Sequence, residues 1–505
     1  AYKALGVTEN NEQKFYNTDW QKEIYKTALS FDNNVTVTGS IKNVPFRASL
    51  GATNQEGILR TSDFDRYTAS LNVNPSLLED HLKVNLSAKY MYAKTTYADG
   101  GAVGAAVGMD PTKPVRSSDA RYKNFGGYFQ WLQNGSVLGD SQWPETKIDL
   151  ATANPVSMLD LKNDVAKSHA FVGNMEFDYQ VHGFEDLRLH MNMGADVSGG
   201  RQDTEVNPAS GTNTYYGYNG WEKIDKYNLS YNAYAQYNKT FDEVHHFDIM
   251  AGYEWQHFYR KGKSYGSGVY PETNNNAGLR GTPYQEKVGN WKTENYLVSF
   301  FGRANYALLD RYLFTATFRY DGSSRFEKHW AMFPSFAFGW KINNEKFLKK
   351  AEWLSDLKLR LGYGQTGQQE GIGDYNYFAS YNTNLVADSY YPLVGTGNID
   401  RPNAYNPQLT WETTTTYNAG FDFGFWNQRL YGSLDYYYRK TTDLINTVDV
   451  PAGSNFKNRV TSNIGSLTNT GVELALNWKA ISKKDLFWEL GFNATYNKNE
   501  ITELV

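Results

Sequence analysis

Along most of this 505-residue chain, apolar and polar residues alternate with a period of two, the pattern of strands whose two faces meet different surroundings. After Trp411, residues Tyr417, Ala419, Phe421, Phe423 and Phe425 share one face, while Asn418, Gly420, Asp422 and Gly424 share the other. The next segment repeats this, with Leu430, Gly432, Leu434, Tyr436 and Tyr438 opposite Ser433, Asp435, Tyr437 and Arg439. Near the end Val472, Leu474, Leu476 and Trp478 oppose Glu473, Ala475 and Asn477. Then Leu486, Trp488, Leu490, Phe492, Ala494 and Tyr496 oppose Glu489, Gly491, Asn493 and Thr495. A helix would not place such residues on two alternating faces.

The same test predicts sixteen strands, at residues 34–42, 45–55, 65–75, 81–93, 168–182, 186–198, 225–241, 245–261, 292–309, 311–321, 332–343, 355–365, 410–426, 429–441, 468–480 and 485–498. Short connectors at 43–44, 74–80, 182–185, 242–243, 310, 344–354, 427–428 and 481–484 alternate without exception with longer ones. The long ones include 94–167, 199–224, 262–291, 366–409 and 442–467, rich in Gly, Asn, Tyr and Trp. Short periplasmic turns facing long extracellular loops are the asymmetry of a transmembrane antiparallel up-and-down β-barrel. The expectation is therefore an all-β fold in which 34–505 is barrel and 1–33 a lead-in. A propeller would repeat every 40 to 50 residues or so, and no such period is present. Several strands exceed the usual five to six residues or so, and about 9 to 11 tilted residues cross a bilayer. Tyr312, Tyr320, Trp340, Trp411, Trp426, Tyr438, Trp478 and Trp488 lie near strand ends, where interfacial girdles sit; the β-propensity of aromatic residues is the alternative explanation.

Composition sharpens this reading. Aromatic residues make up 16% of the chain, yet the mean hydropathy is −0.62. A barrel reconciles the two, with rings toward lipid and polar residues in the lumen and loops. With 50 Lys+Arg against 54 Asp+Glu, the chain lacks the basic excess of a nucleic-acid binder. It has no cysteine, which removes disulfides, Cys-ligated metal centres and thiol nucleophiles. There is no apolar run of about 18 residues for a transmembrane helix. Ala1-Tyr2-Lys3 does not open a signal peptide, and the chain is expected to be an internal stretch of a longer one.

Catalytic signatures are absent from the sequence: there is no His-x-Glu-x-x-His, Walker loop or Gly-x-Ser-x-Gly elbow. His245-His246 flanks a turn, Gly100-Gly101-Ala-Val-Gly104 lacks the following helix and strand of a dinucleotide site, and Asp63 with Asp65 reads as a pair of solvated loop charges. Asp99, Asp110 and Asp119 do not have EF-hand spacing. No enzyme, cofactor or metal is expected. Binding is better supported, because Tyr122, Phe129, Tyr218, Tyr390 and Tyr391 and, above all, Trp131, Trp143, Tyr215, Tyr216, Trp221, Tyr375 and Tyr377 lie in connectors beside amides and carboxylates. Flat rings next to such groups can stack on sugars or grip a peptide; loop-on-loop packing is the alternative.

Several segments, taken in order, resemble the SusC-like subgroup of TonB-dependent outer-membrane transporters. They are Thr18-Asp-Trp-Gln-Lys-Glu-Ile-Tyr-Lys-Thr-Ala28, Ala48-Ser-Leu-Gly51 and Asn54-Gln-Glu-Gly-Ile58, then Arg319-Tyr-Asp-Gly-Ser-Ser-Arg-Phe326, Phe333-Pro-Ser335 and Gly339-Trp340. Trp353-Leu-Ser-Asp-Leu-Lys-Leu-Arg360, Tyr363-Gly-Gln-Thr-Gly367, Asn406-Pro407, Leu409-Thr-Trp-Glu-Thr413, Asp435-Tyr-Tyr-Tyr438, Lys440-Thr-Thr-Asp-Leu444, Asn463-Ile-Gly465 and Gly471-Val-Glu-Leu474 continue the series. The resemblance implies a 22-stranded barrel closed by a plug, importing oligosaccharides or oligopeptides. It also implies energy from a TonB-ExbB-ExbD complex, a SusD-like surface lipoprotein and a dimer of transporter–lipoprotein pairs. Plug and TonB-binding segment are not recognisable here, so the plug, further strands before Ala1 and others after Val505 are expected elsewhere in the chain. A passive sixteen-stranded porin or adhesin barrel is the alternative, and a surface glycan-degrading enzyme a weaker one.

Overall fold

A computed structural model describes residues 16–132, 147–148, 150–212, 217–270, 278, 281–348, 350–382, 401–451 and 457–503. The first half holds α1 (Trp20–Ile24), β1 (Ser30–Ile41), β2 (Val44–Glu56), β3 (Asp63–Val73), the two-residue β4 (Ser76–Leu77), β5 (Leu82–Thr96), α2 (Gly101–Gly108), α3 (Pro155–Asp160), β6 (Lys162–Gln180), β7 (Leu187–Val206), β8 (Tyr218–Phe241) and β9 (His245–Val269). Then come β10 (Pro283–Leu308), β11 (Tyr312–Ser323), β12 (Trp330–Lys341), β13 (Leu354–Gln368), β16 (Glu412–Phe425), β17 (Leu430–Thr442), β20 (Ser466–Lys483) and β21 (Leu486–Glu503). Two small ribbons, β14 (Tyr381–Asn382) with β15 (Arg401–Pro402) and β18 (Ile445–Asp449) with β19 (Arg459–Asn463), decorate the connectors. The sixteen long strands form one antiparallel meander with β1 and β21 at its edges, and β4 pairs with the start of β5.

Register carries the alternation across the wall. Leu359, Phe421, Leu434, Leu474 and Ala494 lie opposite one another on five successive strands, and so do Arg360, Gly420, Asp435, Glu473 and Thr495. The first row is apolar and faces out, where Phe421 and Leu434 are exposed. The second is polar and lines the lumen. Of the rings expected in girdles, Tyr312, Tyr320, Trp340, Tyr438 and Trp478 share registers with that apolar face, and Tyr312 stacks on Trp340 at 6.3 Å. Trp411 does not: it is 6% exposed, packed against Phe326 and Phe333 at the loop rim.

Two expectations change. β7 to β10 run to 20, 24, 25 and 26 residues, so much of 199–224 and 262–291 is strand and the connectors there shrink to 207–217 and 270–282. Beyond the lipid band both faces of these strands mix charged, polar and aromatic residues, so the alternation disappears although the hydrogen-bond ladder continues. The alternation of connector lengths also has exceptions. On the loop rim, 57–62 and 324–329 are six-residue links, while 342–353 on the turn rim has twelve residues.

Tight turns close the short-connector rim. Asp242 and Glu243, and Leu309 and Asp310, take consecutive positive φ values of 52°, 56°, 55° and 53°, the left-handed pairs that suit the twist of a two-residue hairpin. On the same rim Glu345 accepts from the Tyr312 hydroxyl at 2.7 Å and from the Trp340 indole at 3.1 Å, with Arg311 Nη1 at 3.4 Å. The Tyr312 hydroxyl first, then the indole, hold its carboxyl below the usual carboxylate range. A folded-state pKa lowered in this way contributes stability above the unfolded value, about 4.3, and that contribution is lost as pH falls through the folded value. Glu345→Gln is therefore expected to lower the unfolding midpoint in liposomes at pH 7 and to reduce further loss on acidification to pH 3. An unaltered pH dependence would refute this role.

Candidate functional site

Two surfaces of the wall can meet a solute: its inner face and its loop rim. On the inner face, Arg360 on β13 reaches over Gly420 on β16 to Asp435 on β17. Its Nε donates to both oxygens of Asp422 at 3.0 and 2.9 Å, and its Nη2 donates to Asp435 at 2.9 Å. Gly420 is required, because a Cβ there would sit 2.3 Å from Asp435 Oδ1 and 2.9 Å from Arg360 Nη2. Arg319 repeats the device one sector away, lying over the Phe301 ring at 5.5 Å to reach Glu254 at 3.0 Å and Asp321 at 3.1 Å. His190 stacks on Tyr234 at 4.5 Å between these networks and the turn rim. Asn192 Oδ1, Asn232 Oδ1, Asp248 Oδ1, Ser299 Oγ and Arg303 Nε, all at inward registers, are buried without a hydrogen-bond partner among the described residues. Such groups are costly unless something else satisfies them.

The loop rim carries two compact cores. The first joins the segment ahead of β1, the 57–62 link and the long connector between β5 and β6. Asp19 caps α1 by accepting from Lys22 N, which turns Trp20 and Ile24 into a core with Ala102, Met109, Tyr122, Phe129 and Leu159. Thr18 donates from its backbone to Pro111 O at 2.9 Å, Trp20 Nε1 donates to Asp110 O at 3.0 Å, and Arg60 N donates to Ile24 O at 2.9 Å. Asn154 caps α3 by accepting from Val156 N and Ser157 N, and Asp160 at its end accepts from Arg60 Nη2 at 2.9 Å and the Tyr128 hydroxyl at 2.8 Å. Burial first, then that bond to Asp160, pushes the Tyr128 phenol pKa up. At the edge of this unit the Arg121 side chain first, then its backbone N–H, lower the Asp119 carboxyl.

The second core holds Phe326, Phe333, Ile372, Leu409 and Trp411. Asp374 pins its connector to the wall, accepting from Asn295 Nδ2 at 3.0 Å and Arg325 Nε at 2.9 Å.

The predicted ligand rings divide among three places. Trp131 packs edge-on to Phe129 at 5.3 Å, with Lys113 Nζ 5.4 Å from its ring. It lines a cleft of about 290 Å³ with Gln130, Lys147, Thr152 and Gly211. Tyr122 and Phe129 are core residues of that unit. Trp221 lies on β8 opposite Asp203 and Tyr265, with Arg201 Cζ 4.9 Å from its ring. Its register is that of Tyr227 and Leu229, so it faces away from the lumen. Tyr375 is 45% exposed and Tyr377 half-buried beside the second core. Phe378 and Tyr381 are 60% and 61% exposed there, and their signal, an aromatic cluster over 375–381, was present in the sequence. Trp143, Tyr215, Tyr216, Tyr390 and Tyr391 lie outside the described residues. Of the histidine pair, His245 Nδ1 meets the Tyr306 hydroxyl at 2.8 Å and His246 Nε2 lies 3.4 Å from Asp310. Among the described residues no three His, Asp or Glu side chains converge as a metal site.

A continuous antiparallel wall with an apolar outer row, charged inner networks and elaborated connectors on one rim is the wall of a transmembrane β-barrel. The family model "TonB dependent receptor-like, beta-barrel" matches residues 160–503, and the chain belongs to that family. Within it the chain is SusC-like. It is 48% identical over 499 residues to the TonB-dependent receptor SusC of Bacteroides thetaiotaomicron, covering 97% of this chain and 48% of that one. It is also 29% identical to the TonB-dependent receptor P26 of Formosa agariphila, covering 100% of this chain and 49% of that protein. Among solved structures, the RagAB peptide importer in its open-open state superposes with a TM-score of 0.76 at 26% identity, over 98% of this chain and 53% of that one. The chain spans about half the length of the curated relatives it matches. These barrels lie in the outer membrane of Gram-negative bacteria, and so does this one.

Proposed function

We propose that the chain forms most of the barrel of an active importer for oligosaccharides or oligopeptides. A plug closes its lumen, TonB supplies the energy, and a SusD-like lipoprotein works at the loop rim. The observation that carries this reading is an inner wall built of charged networks, Arg360 with Asp422 and Asp435 and Arg319 with Glu254 and Asp321, within a chain of this family. Tyr375, Phe378 and Tyr381 offer exposed rings beside the lumen mouth for ligand capture. In this reading residues 34–505 are barrel and its loops, and the aromatic positions Trp131, Trp143, Tyr215, Tyr216, Tyr375 and Tyr377 contact ligand or lipoprotein.

The test is uptake by the full-length transporter in cells with and without functional TonB, with co-purified ligand identified by mass spectrometry. The expected result is a bound oligosaccharide or oligopeptide whose uptake disappears without TonB. Uptake that persists without TonB would establish a passive porin instead.

A further inference from the structure

Strand register assembles a feature that no local stretch of sequence contains. Lys94 on β5 is opposite Lys167 on β6, Lys167 opposite Arg201 on β7, Arg201 opposite Lys223 on β8, and Lys223 opposite Lys263 on β9. Five cations on five adjacent strands thus form one row, all on the outer face and all exposed. At about 4.8 Å between strands the row is about 19 Å long. Like charges directly opposite each other destabilise a sheet, and local anions neutralise this row only in part. Arg201 pairs with Asp203, Lys223 lies 3.5 Å from Asp225, and Asp65 on β3 stands opposite Lys94 at the end of the row, while Lys94, Lys167 and Lys263 have no ion pair among the described residues.

The position of the row is as informative as its charge. Four residues along the strands toward the turn rim, about 13 Å at about 3.3 Å each, lies the register of Tyr90, Phe171, Val197, Tyr227 and Tyr259. The four rings of that register form an interfacial belt of the kind that marks the membrane surface, and below it come Leu86, Met175, Met193 and Tyr231. Lys261 and Lys292 lie opposite each other in the register between belt and row. Directly beyond the row are Trp221 and Tyr265. Moving outward, the face therefore presents lipid-facing side chains, rings, cations with Asp225 among them, and then rings beside Asp203.

We infer that this row is a binding site for the phosphorylated headgroup of a glycolipid in the outer leaflet. Lysine and arginine side chains form charge-assisted bonds to phosphate oxygens, basic clusters at a membrane surface recruit anionic headgroups, and Trp221 and Tyr265 offer faces on which the headgroup's sugars can stack. Trp221, unsuited to contact cargo in the lumen, has a ligand on this side of the wall. The site depends on the membrane orientation of the barrel and not on what the barrel transports.

The experiment uses the full-length transporter extracted from outer membranes in mild detergent, with retained glycolipid per barrel counted by mass spectrometry. Each lysine near an anionic surface is worth about fivefold, so the K94Q/K167Q/K223Q/K263Q variant is expected to lose retained phosphorylated glycolipid by well over tenfold. The four corresponding Lys→Arg changes keep it, as does Lys226→Gln on the inner face of the same strand. Delipidated wild type is expected to rebind the phosphorylated glycolipid but not its phosphatase-treated form, with neither inorganic phosphate nor phosphatidylglycerol vesicles competing at equal phosphate. Equal retention by the glutamine variant, equal rebinding of the dephosphorylated lipid, or full competition by either phosphate source would each overturn the inference. If the fourfold variant does not assemble, as read by heat-modifiable mobility, the wild-type rebinding comparison decides.

Discussion

Phe421→Asp is expected to reduce barrel assembly strongly, while Asp422→Ala, one residue along the same strand, is expected to be tolerated. Phe421 stands in the outer apolar row between Leu359 and Leu434, so a carboxylate there must be desolvated by lipid or shed its charge. The cost falls with distance from the bilayer centre and is of the order of 2 kcal/mol for an acidic side chain at such a depth. Asp422 faces the lumen as one of two carboxylates on Arg360. Its removal leaves Asp435 in place, in a site about a third exposed on the Arg360 side, and costs about 1 kcal/mol. The readout is the folded fraction in heat-modifiable electrophoresis and the guanidinium unfolding midpoint in liposomes. Equal tolerance of the two substitutions would reverse the assignment of faces.

The second large effect is expected at Gly420. Gly420→Val places a branched side chain where Asp435 and Arg360 close over the backbone. Either the Arg360–Asp435 bond opens or the strands shift, and overpacking of this kind costs about 1–3 kcal/mol. The double change Gly420→Val with Arg360→Met removes the guanidinium that competes for the space, but leaves Asp422 and Asp435 both unpaired. It is therefore expected to recover only part of the lost midpoint. If Gly420→Val alone leaves the midpoint unchanged, the bridge across β16 does not hold the wall together.

The sheet was legible wherever its two faces meet different solvents. β16, β17, β20 and β21 were found within a few residues of their ends because lipid on one side and lumen on the other impose the period of two. The same reasoning hid the upper halves of β7 to β10. There Arg201, Asp203, Lys223 and Asp225 are outward and Gln202, Glu222 and Lys226 inward, so neither face stands out. The rim cores were hidden for another reason. Trp20 meets Met109 and Leu159 through contacts between segments some 90 to 140 residues apart, and no periodicity encodes such a meeting. Trp411 was misplaced because a ring at the end of a strand looks the same whether it faces lipid or a neighbouring loop. The ligand rings were identified by type and by connector, but Trp221 shows that the side of the wall is decided by register, which sequence spacing inside a connector does not give.

The first rim core also bears on how connectors can be exchanged between barrels of this family. Trp20 and Ile24 come from the segment ahead of β1, Leu59 and Arg60 from a six-residue link, and Tyr128 and Leu159 from the long connector. Grafting residues 97–161 alone onto another barrel would leave Met109, Tyr122 and Leu159 without Trp20 and Ile24, and Asp160 without Arg60. The unit that can be exchanged intact is the three segments together, so recombination that respects this core should yield working chimaeras while exchange of single loops should not.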